Sequence, residues 1–252
     1  MTNATPMRKV VSLRDTADIL LVGGKAAWLG KLLRATVNVP GGFVITTDAK
    51  FPLSNATTKT VLAQFDKLGA KKVAVRSSAA NEDGAEQSFA GQFDTYLNVT
   101  RENLLTKIAI VHNSIANVRA ASYSDRMENS VAIIVQQMVA ADIAGVAFSL
   151  NPVTDDANQI VIEATRGLGE KLVSGLTTPD LFIINKDSRE VLKHEVGDDK
   201  IALTKSNLDE LLNYIAKIEK LAGQPIDIEW ALADGKIYIL QVRPITTIKE
   251  KK

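Results

Sequence analysis

The sequence predicts an α+β protein of two lobes, with a mostly antiparallel sheet in its C-terminal half. Three observations lead there. Apolar residues in the first half recur at helical spacing, as in Trp28, Leu29, Leu32 and Leu33 and in Leu104, Ile108, Val111, Ile115 and Val118. The second half changes to short β-rich runs separated by turn residues: VAIIVQQMV, AGVAFSL, QIVIEA, DLFIINK and REVLKHEV. One amphipathic stretch, 205–222, interrupts them, with Leu208, Leu211, Leu212, Ile215 and Ile218 on one face. The change in character places the lobes at about 1–128 and 129–248 of a single domain covering 1–252.

Each element follows from local signals. Residues 8–22 read as a short apolar strand, a turn and a loop, and a helix begins just after Gly23-Gly24. Pro40-Gly41-Gly42 is a turn before the run Phe43–Ile45. A second helix is expected over 56–68, with Val61, Leu62 and Phe65 on one side. Val73–Val75 reads as a strand ending at Arg76, followed by the loop SSAANEDGAEQSFAGQ. FDTYLNV alternates like a strand, and 101–125 reads as helix. PIDIEWAL and KIYILQVRP form a hairpin around Ala233-Asp234-Gly235, because Asp-Gly suits a tight primed turn.

Composition narrows the chemistry. There are no cysteines, which excludes disulfides, thiolate catalysis, cysteine-based zinc sites and iron–sulfur clusters. Two histidines, His112 and His194, are too few for a histidine-rich metal site, and neither has an acidic or nucleophilic partner at a telling spacing. The net charge of +1 gives no overall basic field, so no nucleic-acid partner is expected. No apolar run is long enough to span a membrane and the N-terminus lacks a signal-peptide core, so a cytoplasmic location is the expectation.

Four polar features could carry chemistry. Lys25 follows two glycines at a helix start, where backbone N–H groups and the dipole suit an anion. It lies outside any GxxxxGK[ST] pattern, and a surface lysine is the plainer reading. Arg76 leaves a strand before a loop of small residues, Ser88–Gln92, that could close over a phosphate chain; an exposed loop with a salt-bridged arginine is equally open. Asp227 and Glu229 share a strand face, as do Gln241 and Arg243 on the next strand. Two carboxylates on an otherwise apolar strand are costly unless paired, and Mg²⁺ bridging phosphates or Arg243 would each pair them; a solvated outer face with one salt bridge is the plainer alternative. GLGEKLVSG at 167–175 has Leu172 at the third glycine position of a dinucleotide fingerprint and reads as a loop.

Taken together, the strings VGGKAAWLGKLL, VPGGFVIT, VAVRSSAANEDGAEQSFAGQFDTYLNV, VQQMV, AGVAFSLNPVT, IEATRGLGEKLVSG, TPD, DIEWAL and LQVRPIT occur in one order over nearly the whole chain. In this they resemble the N-terminal ATP-grasp nucleotide-binding domain of the pyruvate,phosphate dikinase, phosphoenolpyruvate synthase and rifampicin phosphotransferase family. The resemblance implies two lobes with the nucleotide in the cleft between them. It places Lys25 and Arg76 on the phosphate chain, Gly91 and Thr95 in the covering loop, and Gln136 and Met138 beside the adenine. Asp227 and Glu229 fall at the carboxylates for Mg²⁺ or ribose, and Gln241 and Arg243 at the last strand's phosphate contacts. Arg76, Lys25 and Arg243 would be catalytic, and Glu229, Asp227 and Gln241 would be the metal set.

The resemblance further implies transfer of the β-phosphoryl group of Mg·ATP to a histidine on a separate domain or chain, leaving AMP. The sequence has no TSH-type acceptor motif and no barrel domain. The expected partner is therefore a separate phosphohistidine protein, and this chain would be incomplete without it. A non-catalytic ATP-binding regulatory subunit, or a kinase with a non-histidine acceptor, are the alternatives. The stretch between Phe51 and Val73 is shorter than the family pattern implies, which would leave the nucleotide more open.

Overall fold

A computed structural model describes residues 8–79, 95–121, 131–173, 175–201 and 203–245. The chain divides into two compact units, 1–35 with 40–138 and 36–39 with 139–252. The first unit therefore takes in residues 129–138, beyond the boundary that the sequence suggested.

The first unit is a five-stranded sheet in the order β1-β2-β5-β3-β4, antiparallel throughout. Its strands are β1 (Val10–Ser12), β2 (Gly42–Ile45), β3 (Val73–Ala79), β4 (Thr95–Val99) and β5 (Val131–Gln137). Alternation gives the sheet two different faces. Phe43, Ile45, Val73, Val75, Ala79, Val131, Ile133 and Val135 form one. That face packs under Val61 and Phe65 of α2 (Asn55–Leu68) and Leu104, Ile108 and Val111 of α3 (Leu104–Ala121). α2 starts where expected, with Ser54 Oγ accepting the Thr57 N–H at 3.3 Å. The opposite face, carrying Ala74, Arg76, Ser78, Ile134 and Gln136, lies under α1 (Ile19–Arg34).

Two expectations are corrected here. α1 starts at Ile19, before the glycines, because Asp18 Oδ1 accepts the Leu20 N–H at 3.0 Å and caps an extra turn. The helix is nevertheless broken at Gly23, whose φ of 75° and ψ of 166° are non-helical, so a second helical segment does begin after it. Arg76 is mid-strand, since β3 continues through Ser77 and Ser78 to Ala79, paired along its length with β5. Short hydroxyl side chains that read as loop residues are here buried strand residues, at 2% and 0% exposure.

The second unit is a six-stranded antiparallel sheet in the order β11-β10-β6-β7-β8-β9. The strands are β6 (Ile143–Phe148), β7 (Gln159–Arg166), β8 (Asp180–Asn185), β9 (Val191–Glu195), β10 (Ile226–Ala233) and β11 (Lys236–Pro244). The predicted antiparallel character and the β10–β11 hairpin are both observed. A single turn, α4 (Glu170–Val173), interrupts the stretch read as a loop. α5 (Lys205–Ala222) matches its predicted span, with Thr204 as N-cap and Leu211, Leu212, Ile215 and Ile218 buried. It packs on the face that carries Ile228, Trp230 and Val242. Trp230 is fully buried there and is the largest such side chain in the protein.

Candidate functional site

The polar residues singled out in the sequence gather in two sets, one in each unit. In the first unit, Arg76 lies opposite Ile134 of β5 and Thr95 of β4 in the strand register. It is 9% exposed, as is Lys25 on the α1 side of the same sheet face. Gln136 sits one row along, opposite Ala74 and Gly42, at 2% exposure. Its Nε2 makes no hydrogen bond among the described residues. Met138 follows β5, its N–H donating to the Lys72 carbonyl at 3.1 Å. Gly91 and the Ser88–Gln92 segment lie outside the described residues.

One backbone amide of the helix start at Lys25 has a partner within the protein: the Ala26 N–H donates to Ser78 Oγ at 3.1 Å.

In the second unit the hairpin register brings the predicted pairs together. Asp227 is opposite Arg243, and Glu229 is opposite Gln241. They share one face of the sheet, and apolar residues 226, 228 and 230 point to the α5 side. Sequence reasoning missed a third carboxylate. Glu163 of β7 is opposite Val146, which is opposite Glu229, so Glu163 and Glu229 lie on one row and one face. The available signal was a lone acid in the apolar run QIVIEA, the same signal that drew attention to Asp227 and Glu229.

Electrostatics mark this face as costly to charge. Burial raises the Asp227 pKa to about 6, against the pull of Arg243 and with help from the nearby Glu229 and Glu163 charges. Burial also pushes Glu163 upward. Asp227 Oδ1 is buried and has no hydrogen-bond partner among the described residues. A carboxylate oxygen in that state suits a hard cation. Among the described residues, no three acidic or histidine side chains converge into a closed metal cage.

Both histidines lie on the opposite faces. His112 stacks on Phe51 at 3.8 Å on the α3 side of the first sheet, away from Arg76. His194 pairs with Phe182 and stacks on it at 4.1 Å, on the α5 side of the second sheet. It does have an acidic partner, contrary to expectation. Nε2 lies 3.1 Å from Oδ2 of Asp180, which is 1% exposed. Pairing between β8 and β9 creates this contact, and sequence spacing does not reveal it.

The family model for the pyruvate phosphate dikinase AMP/ATP-binding domain matches residues 50–211 and 198–252. The chain belongs to this family. Relatives include an uncharacterized phosphotransferase, YvkC, of Bacillus subtilis, 38% identical over 92% of this chain and 34% of that protein. A probable phosphoenolpyruvate synthase of Methanocaldococcus jannaschii is 34% identical over 93% of this chain and 26% of that protein. The prodigiosin synthesizing transferase PigC of Serratia marcescens is 35% identical over 90% and 32% respectively. The chain thus spans about a quarter to a third of the length of these family members. The alignments, 283 and 311 positions long for the first two, exceed the 252 residues here, so those relatives carry segments that this chain lacks. Among solved structures, D-alanine–D-alanine ligase from Bacillus anthracis complexed with ATP aligns at 11% identity and a TM-score of 0.46, over 86% of this chain and 53% of that one. Among the described residues, no helix is long and apolar enough to cross a membrane.

Proposed function

We propose that this chain is an ATP-grasp phosphotransferase module that binds Mg·ATP and performs the nucleotide half of a dikinase reaction. The β-phosphoryl group passes to a histidine outside residues 1–252, leaving AMP. The observation that carries this reading is the strand register that sets Asp227 beside Arg243 and Glu229 beside Gln241 on one half-buried face. Membership of an AMP/ATP-binding family supports it.

Phosphoryl transfer asks the protein mainly for positioning and charge neutralisation. Lys25 and Arg76 supply the two cations of the first unit, and the planar guanidinium of Arg76 suits two phosphate oxygens at once. Thr95, beside Arg76, offers a hydroxyl, and Gln136 offers its buried amide to the base. Glu229, Asp227 and Gln241 are the residues that would hold Mg²⁺. Held there, such an ion would supply positive charge against the negative charge of the phosphates. Arg243 offsets the Asp227 charge and is placed for a phosphate contact. The positions of His112 and His194 on the far faces of their sheets support an acceptor outside residues 1–252.

Mg·ATP should raise the melting temperature of the chain, as any ligand selective for the native state does. Arg76→Ala and Glu229→Ala should each shrink that rise and leave the apo fold intact. With ATP labelled on the β-phosphate, the chain itself should stay unlabelled, and a partner bearing the family's histidine domain should take up acid-labile phosphate. An unchanged ATP-dependent shift in both variants refutes the site, and label on His112 or His194 refutes the external acceptor.

A further inference from the structure

Ser78 plays no part in the site as described, yet it touches the Lys25 turn from two sides. Its Oγ accepts the Ala26 N–H at 3.1 Å. Its backbone oxygen lies against Gly23, where an added Cβ would come within 2.2 Å of that oxygen and 2.4 Å of Oγ. Lys25 is held between these two contacts. On the other side of the same residue, the Thr16 hydroxyl donates to the Ala26 carbonyl oxygen at 2.7 Å. Ala26 is fully buried, so its N–H finds no water if the serine oxygen is removed. Ser78 also sits two residues from Arg76 on the same face of β3, which ties the lysine turn to the strand that carries the arginine.

We infer that Ser78 is a positioning residue that sets the aim of Lys25 relative to Arg76, so that the two cations meet one phosphate chain together. The inference rests on the nucleotide reading proposed above. Its physical basis is that an ammonium on a long flexible stem gains affinity for a phosphate only when the stem's root is fixed. At the break in α1 the backbone leaves helical geometry at Gly23, and Ser78 accepts the N–H of Ala26, three residues on. A side chain that only filled space would not need to accept that bond.

The test is calorimetric binding of Mg·ATP and of adenosine to the full chain and to Ser78→Ala, Lys25→Ala and the double variant. Ser78→Ala should weaken Mg·ATP binding about tenfold and adenosine binding less than about twofold, the size expected when one hydrogen bond orienting a charge is lost. In the Lys25→Ala background the same change should alter Mg·ATP binding by less than about twofold, because the serine acts through the lysine. Equal losses for adenosine and Mg·ATP, or the same loss with and without Lys25, overturn the inference and leave the nucleotide site standing. If Lys25→Ala leaves Mg·ATP binding intact, the nucleotide reading of Lys25 fails and this inference fails with it. A second measurement does not need the variants to fold. The Ala26 amide of the native chain should be strongly protected from hydrogen exchange, and rapid exchange there overturns the inference.

Discussion

Asp227→Asn removes a carboxyl whose pKa is raised by burial to about 6 in the folded chain, against an ordinary value of 3.8. Between those two values the native state keeps a proton that the unfolded chain has released. Stability from this group is therefore fully present below 3.8 and is lost as the pH rises through about 6. A difference of that size corresponds to about 3 kcal/mol. The group is not fully out of solvent, so about 2 kcal/mol is the working expectation. In EDTA without nucleotide at pH 8, Asp227→Asn should be more stable than wild type by about that amount, or ~4–8 °C in Tm for a chain of this size. At pH 4 the two proteins should nearly coincide. Thermal unfolding followed by circular dichroism across pH 4–8 measures both ends. A variant less stable than wild type at pH 8, or an offset that does not change with pH, would show that the carboxyl is not held against its charge. On the proposed reading the same variant should also lose Mg·ATP-dependent stabilisation, because an amide carries no charge to hold a cation.

Two further predictions concern the scaffold. Gly23→Ala puts a Cβ 2.2 Å from the Ser78 carbonyl oxygen on a residue with φ of 75°. It should cost about 2 kcal/mol or more, read as a fall in the urea midpoint, and an unchanged midpoint would refute the tight approach of α1 to β3. Trp230→Ala empties the largest buried side-chain volume between the second sheet and α5 and should cost about 3–5 kcal/mol by the same measurement. A loss below about 1 kcal/mol would mean that the face packs differently.

What the sequence determined by itself were features whose cause is local or periodic. The α5 span follows from a stripe of leucines and isoleucines bounded by Thr204 and Gly223, and the hairpin follows from Asp-Gly between two alternating runs. That Asp227 and Glu229 share one strand face, and Gln241 and Arg243 another, was legible from strand alternation, but their pairing was not: counting back from the turn sets Glu229 opposite Leu240, and a register shift between Glu229 and Trp230 brings Gln241 and Arg243 into place instead. Features that depend on which strands become neighbours were not legible. Glu163 joins Glu229 only because β6 lies between β7 and β10, and His194 reaches Asp180 only because β9 pairs with β8. Likewise, Ser77 and Ser78 look like loop residues until β5 supplies the hydrogen bonds that keep them in a strand. Ser78 then caps the turn of Lys25, fifty-two positions away in sequence. Local sequence sets where a helix or a hairpin begins, because those hydrogen bonds close within a few residues. The partners of a buried hydroxyl, imidazole or carboxylate on a central strand are set by strand order, and that order is decided only when the whole sheet has closed around its apolar face.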